Sequence, residues 1–239
     1  MSDVSGATAV VLCGGMGTRF GPETQRVPKP MITVGGHPVL WHIVRYYASF
    51  GVRRFVLCLG YKGDVIRKWV ADDPIEGVSI TCIDTGAQAM TGARVKRVQH
   101  LVDDDDFFLT YGDGIGDVDL PGLLAFHRDH GGVATLTGVH PPARFGVLAV
   151  DGDDVVRFQE KPRSAEWING GFFACNQGVF DVLQDDDDCI LERTPFETLA
   201  QRRALRLWRH DGFWQCMDTM ADREVLEQVW ASGAPWERW

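Results

Sequence analysis

Short apolar runs alternate with amphipathic stretches through the first part of this chain. Thr8 to Leu12 is almost wholly apolar and predicts a buried first strand. Pro38 starts a helix whose positions Val39, Leu40, Ile43, Val44 and Tyr47 form one apolar stripe, and Gly51 ends it. Phe55 to Leu59 predicts the second parallel strand, and a helix follows through Val65, Ile66, Trp69 and Val70. Val78, Ile80 and Cys82 alternate with polar residues, the pattern of a strand with one wet face. A helix near Ala93 to Leu101 turns Val95, Val98 and Leu101 inward, and Phe107 to Tyr111 is the next buried strand. This alternation, continued to about residue 140, predicts an α/β fold: a three-layer α/β/α sandwich around a mostly parallel mixed sheet, Rossmann-like in plan.

The pattern then changes. Phe145 to Val150 and Val155 to Gln159, joined through Asp151-Gly152-Asp153, predict a β-hairpin. Ile168 to Cys175 predicts a strand interrupted at Gly170 and Gly171, Leu205 to Arg209 a late strand, and Asp222 to Trp230 a closing helix. No repeat or linker interrupts the chain. It reads as one domain over 1–239, with halves of about 7–140 and 141–239.

Bulk properties narrow the function classes. With 239 residues, 45% of them hydrophobic, the chain can build one sizeable core. A net charge of −9 argues against a sequence-independent nucleic-acid binder, which would be basic. No apolar run approaches the ~18 residues of a membrane span. Met1 to Gly6 carries no basic, signal-like start, so a cytoplasmic protein is expected. The cysteines at 13, 58, 82, 175, 189 and 216 form no Cys-x-x-Cys pair and read as reduced, buried thiols. The runs Asp103–Asp106 and Asp185–Asp188 read as solvated loops, because adjacent aspartates repel. His127 and His130 share a helix face, as an exposed helix end would allow.

Candidate chemistry begins where the first strand ends. After Leu12 come Gly14, Gly15 and Gly17, then Thr18 and Arg19, with Lys29 ten residues beyond Arg19. Glycines let backbone N–H groups approach an anion, and the two cations add positive charge, a combination suited to a nucleoside triphosphate; an ordinary turn uses the same glycines. Asp113, flanked by Gly112 and Gly114, follows a central strand, where open α/β sheets bind ligands. It can hold Mg²⁺ together with Asp218, or serve as a turn residue, while Asp218 can equally be a helix cap. Lys161, in Glu160-Lys161-Pro162, can hold a second phosphate or lie exposed at a strand edge. Asn169-Gly170-Gly171 suits sugar hydroxyls or a β-bulge. No Ser-His-Asp, Cys-His or H-E-x-x-H set stands out. A nicotinamide dehydrogenase is disfavoured, because the glycine spacing differs from G-x-G-x-x-G and Gly60, not an acid, follows the second strand.

In this order the motifs resemble those of the sugar-1-phosphate nucleotidyltransferases. The segments are LCGGMGTRF (12–20), PKPM (28–31), GGHPVLWHIVRYY (35–47), GYKGDVI (60–66), DTGAQAMTGARVKRV (84–98), TYGDGIGDVD (110–119), PPARFG (141–146), FQEKP (158–162), INGGFF (168–173) and GFWQCMDT (212–219). MTGARVKRV, TYGDG and GFWQCMDT are similar to the glucose-1-phosphate cytidylyltransferase branch in particular. The resemblance implies a GT-A-like fold, CTP and glucose 1-phosphate as substrates, and CDP-glucose and pyrophosphate as products. It implies that Leu12, Gly14, Gly15, Gly17, Thr18, Arg19 and Gly112 wrap the nucleotide, with Thr91, Gly92 and Arg94 near the base or ribose. It implies catalytic roles for Arg19, Lys29 and Asp113, and Mg²⁺ on Asp113 and Asp218. Glu160, Lys161, Asn169, Gly170 and Gly146 would then bind the sugar phosphate. UTP, dTTP or another phosphorylated acceptor would keep the same chemistry, and a ligand-sensing homologue would keep only the fold. The family also implies a homo-oligomer. Only Ala71 to Ile83 stands where the branch has a longer insertion near its subunit contacts, which argues against carrying over its hexamer.

Overall fold

The computed structural model describes residues 3–21, 24, 26–143 and 145–239, with the backbone but not the side chain of Arg19. Strand β1 (Thr8–Leu12) leads through the glycine loop to a small pair, β2 (Thr33–Val34) and β3 (His37–Pro38), then to α1 (Val39–Ser49). Next come β4 (Arg54–Leu59), α2 (Gly63–Asp72), β5 (Ser79–Asp84), α3 (Thr91–Arg97) and β6 (Asp106–Tyr111). The short β7 (Gly114–Gly116) precedes α4 (Leu120–His130) and β8 (Ala134–Val139). The hairpin β9 (Val147–Asp151) and β10 (Asp154–Gln159) is followed by β11 (Ile168–Asn176), α5 (Thr194–Gln201), β12 (Leu205–Arg209), β13 (Trp214–Cys216) and α6 (Met220–Ala231).

Seven strands form one sheet in the order β12-β8-β11-β6-β1-β4-β5. Only β11 runs against its neighbours, pairing antiparallel with both β6 and β8. Side-chain alternation on the central strands builds two cores. Val11, Leu57, Phe108 and Phe172 face the side covered by α1, α2, α4 and α6, whereas Val10, Val56, Leu109 and Phe173 face α3 and α5. Central strands buried on both faces need apolar residues at nearly every position, which is why β1 and β4 read as continuous runs.

Several elements depart from the sequence reading. The helix expected near Ala93 to Leu101 begins at Thr91 and gives way to a 3-10 turn at Gln99–Leu101. Strand β11 is continuous rather than broken at Gly170 and Gly171. Its register with β8 shifts between Asn169 and Phe173, and Gly171 takes φ +77°, so this stretch is bulged. His127 is not at an exposed end: it is buried beside Thr135. Burial holds its pKa down at about 4.

The aspartate runs do structural work that a solvated-loop reading misses. Asp104 accepts the Thr8 N–H at 2.7 Å and pairs with Arg54, fastening the start of β1. Asp106 pairs with Arg128 at 2.8 Å, and Asp185 and Asp187 grip Arg97 at 2.7 and 2.8 Å. All six cysteines are free thiols. Among the described residues no helix is long and apolar enough to cross a membrane.

Candidate functional site

The carboxyl ends of β1 and β6 meet at one cavity of about 920 Å³, large enough for a nucleotide and a second small ligand. The loop after β1 must run close to its neighbours. The Gly112 N–H donates to Leu12 O at 3.0 Å, and a Cβ on Gly112 would lie 2.8 Å from that oxygen. Gly17 has φ +62°, the left-handed region that favours glycine. Among the described residues, no group accepts the N–H of Gly15, Met16 or Gly17, so these donors remain for a ligand.

Arg94 fixes this loop from beneath. Its guanidinium donates to Leu59 O, Thr85 Oγ1 and Gly86 O at 2.8–2.9 Å and to Gly14 O at 3.0 Å. A Cβ at Gly14 would sit 2.1 Å from Arg94 Nη1, so any larger residue there must displace the guanidinium from its bonded position. Arg94 therefore touches the cavity but spends these donors on three backbone oxygens and the Thr85 hydroxyl, tying the glycine loop to the ends of β4 and β5.

At the cavity floor Lys29 lies between two carboxylates. Pro28 and Pro30 flank it, and a 3-10 turn at Lys29–Met31 sets its direction. Its ammonium donates to Asp113 Oδ2 at 2.7 Å and to Asp218 Oδ1. Burial works against this charge, but Asp113 and Asp218 outweigh it and hold the pKa above the ordinary lysine range. Asp218 does not cap α6. Thr219 does, in a capping box with Asp222, which leaves the Asp218 side chain turned toward Lys29. Cys216, unmarked by the sequence reading, joins them: its sulfur and one oxygen each of Asp113 and Asp218 lie within 4.8 Å of one another. Burial, and then the Asp113 charge, push its thiol pKa far up, so it stays protonated.

The structure brings most of the expected residues together and separates others. Leu12, Gly14, Gly15, Gly17, Lys29, Thr91, Arg94, Gly112, Asp113, Asn169 and Asp218 line the cavity. Thr18 is exposed beside it, and the Arg19 side chain lies outside the described residues. Gly92 does not reach the cavity wall: its N–H bonds Cys189 O at 2.9 Å, and a Cβ would meet the Cys189 sulfur at 2.6 Å. Gly170 is likewise a packing position, its carbonyl accepting from Trp214 Nε1 at 2.7 Å. Gly146 packs under Phe158, while Glu160 and Lys161 are exposed at the hairpin's end and do not line the cavity. Lys161 has φ +42°, a strained setting for a side-chain-bearing residue. Tyr111 and Glu192 are cavity residues to which the sequence assigned no role: Tyr111 stands inside the TYGDG segment at the end of a buried strand, and Glu192 lies in a loop without a recognisable motif.

Comparison with known proteins gives consistent matches. The family model described as nucleotidyl transferase matches residues 8–214. A glucose-1-phosphate cytidylyltransferase of Salmonella typhi is 44% identical, covering 97% of this chain and 99% of that protein. Its counterpart in Salmonella typhimurium matches equally, at 44% identity over 97% of this chain and 99% of its own length. Among solved structures, HddC from Yersinia pseudotuberculosis superposes with a TM-score of 0.75 at 23% identity, covering 94% of this chain and 99% of that one, and so shares the fold.

Proposed function

This chain belongs to the nucleotidyl transferase family, and on that premise we propose that it joins CTP and glucose 1-phosphate into CDP-glucose and pyrophosphate. The observation that carries the reading is the floor of the cavity. Lys29, Asp113 and Asp218 converge there beside a glycine loop with unspent N–H donors. The names of relatives at 44% identity over nearly the whole chain support the choice of substrates.

In this reading an oxygen of the sugar phosphate attacks the α-phosphorus of CTP, and the bond to pyrophosphate breaks on the opposite side. A phosphate monoester is already anionic near neutral pH, so the step needs no general base. Catalysis is alignment and neutralisation of charge. The glycine-loop N–H groups hold nucleotide phosphates, and Lys29 exchanges its carboxylate partners for phosphate oxygens. Arg19 adds a second cation from the same loop.

The donor set at the floor fits a hard divalent cation. Asp113 and Asp218 each turn a carboxylate oxygen into one small space, and the ammonium of Lys29 already occupies a cation position between them. The Cys216 sulfur beside them is a soft donor and does not suit a hard cation. We assign Mg²⁺ to Asp113 and Asp218, where its bound charge would neutralise phosphate oxygens. Lys161 and Glu160, which do not line the cavity in this conformation, would serve the sugar phosphate by the hairpin's end closing over the bound acceptor, and the chain acts in the cytoplasm as one domain and as a homo-oligomer.

The test is pyrophosphate release with Mg²⁺ and glucose 1-phosphate across CTP, UTP, dTTP, ATP and GTP. Release with CTP, accompanied by CDP-glucose, is expected. Release with a different base would move the nucleotide assignment. Silence with all five would overturn the acceptor or the activity.

A further inference from the structure

Glu192 stands in the loop between the second aspartate run and α5, and nothing in the reading above gives it a role. Its carboxylate ends two chains of hydrogen bonds whose directions are fixed. On one side the Leu191 N–H donates to Thr91 Oγ1 at 3.0 Å, which leaves the Thr91 hydroxyl hydrogen for Glu192 Oε2 at 2.6 Å. On the other, the Gly171 N–H donates to Asn169 Oδ1 at 2.8 Å. That contact turns the Asn169 amide nitrogen toward the Tyr111 hydroxyl oxygen, to which it donates at 3.0 Å. The Tyr111 hydroxyl hydrogen is then given to Glu192 Oε1. Each chain starts from a backbone N–H, which cannot reverse its role, so every link points toward Glu192.

This arrangement makes a positioned acceptor on the cavity wall. An ionised carboxylate offers about four lone-pair sites, and only one donor is committed to each oxygen. Among the described residues no Lys or Arg pairs with Glu192, so its charge is not neutralised by the protein. Such a group repels phosphate and accepts hydrogens. Its natural complement is hydroxyls on a sugar ring, held by charge-assisted hydrogen bonds.

We propose that Glu192 determines sugar specificity by accepting ring hydroxyls of a bound substrate, with Thr91, Tyr111 and Asn169 holding its carboxylate in place. This rests on the function proposed above, which supplies two sugar rings, the hexose of the acceptor and the ribose of the nucleotide. Losing a hydrogen bond to a charged group at such a site costs about 10-fold or more in affinity.

The test compares wild type and Glu192→Gln with CTP, 2′-deoxy-CTP, glucose 1-phosphate and its monodeoxy analogues. A rise of about 10-fold in KM for glucose 1-phosphate is expected, with KM for CTP unchanged and discrimination against one deoxyglucose 1-phosphate lost. A rise confined to CTP, with the CTP to deoxy-CTP preference lost, would also support the proposal and assign the ring to ribose. Unchanged KM values, or losses that leave every deoxy discrimination intact, would overturn it. Should Glu192→Gln fail to fold, Glu192→Asp keeps the charge, shortens the reach and must shift the KM of one ring alone. If the wild type turns over none of these substrates, the functional reading fails by itself. Equilibrium binding of CTP, 2′-deoxy-CTP and glucose 1-phosphate to the same proteins then decides on Glu192.

Discussion

Lys29 is held by the two carboxylates that the proposed chemistry also needs. A lysine so placed keeps its proton, and it keeps Asp113 and Asp218 from repelling each other before a ligand arrives. Lys29→Ala should therefore lower kcat by roughly 100-fold or more, as deletions of charge-stabilising groups do. Steady-state rates at saturating CTP and glucose 1-phosphate check this, and near-normal turnover would remove Lys29 from the mechanism. Asp113, marked by its flanking glycines, was legible in the sequence, and so was Lys29 between its prolines. Cys216 was not, because its nearness to Asp113 comes from β13 pairing with β7 across a hundred residues of chain.

A second residue carries a pH consequence. Burial holds His127 at about 4, against the pull of Asp106 at 3.6 Å, while His130 and Arg128 add repulsion. The unfolded chain, with an ordinary histidine near 6.5, takes up the proton first as pH falls. Its stabilising share is therefore present above about pH 6.5 and lost as pH drops toward 4. Thermal melts from pH 7 to 4 should show a falling Tm, and His127→Gln should flatten that fall. Equal slopes in both proteins would exclude His127 as a source.

Among the elements, the glycine loop that follows β1, from Cys13 to Gly17, borrows order from α3. Arg94 on that helix bonds Gly14, Leu59 and Gly86 at once. Arg94→Ala should leave a folded protein whose KM for CTP rises about 10-fold or more, since the buried bond to Gly14 O in the loop disappears together with the three that anchor Arg94 to Leu59, Thr85 and Gly86. Calorimetric binding of CTP to the variant tests this, and unchanged affinity would show that the loop holds itself. Most strands and helices of this half were legible, the helices from an apolar stripe at helical spacing and the buried strands from short apolar runs bounded by turn residues. The start of α3 was not: Thr91 and Gly92 are poor helix formers, and contacts to Cys189 and Leu191 from the far end of the chain hold them. Glycines have a second use that the sequence does not separate from the first. Gly92 and Gly170 look like ligand contacts in a motif, yet each is required by close packing against a side chain or a strand.

The molecule as a whole leaves one element uncovered. The hairpin β9–β10 forms its own two-stranded sheet, and Val150, Val156 and Phe158 on it are each more than 60% exposed. Apolar side chains on both faces of an isolated hairpin suit contact with another subunit, in keeping with the proposed homo-oligomer. Light scattering should give a mass above the 26.6 kDa of one chain, and Val156→Lys with Leu148→Glu should lower it while the far-UV spectrum is kept. A monomer in both proteins would refute that assembly. The hairpin was legible from its turn, but its separation from the cavity was not, because no local pattern sets the angle at which a hairpin leaves a sheet.

One labelling experiment bears most directly on the proposed reaction. Glucose 1-phosphate carrying ¹⁸O throughout its phosphate is incubated with CTP, Mg²⁺ and the protein, and the products are weighed by mass spectrometry. Attack by the sugar phosphate on the α-phosphorus predicts CDP-glucose that retains every labelled oxygen, together with unlabelled pyrophosphate. Absence of a nucleotide sugar, or label in the pyrophosphate, would contradict it.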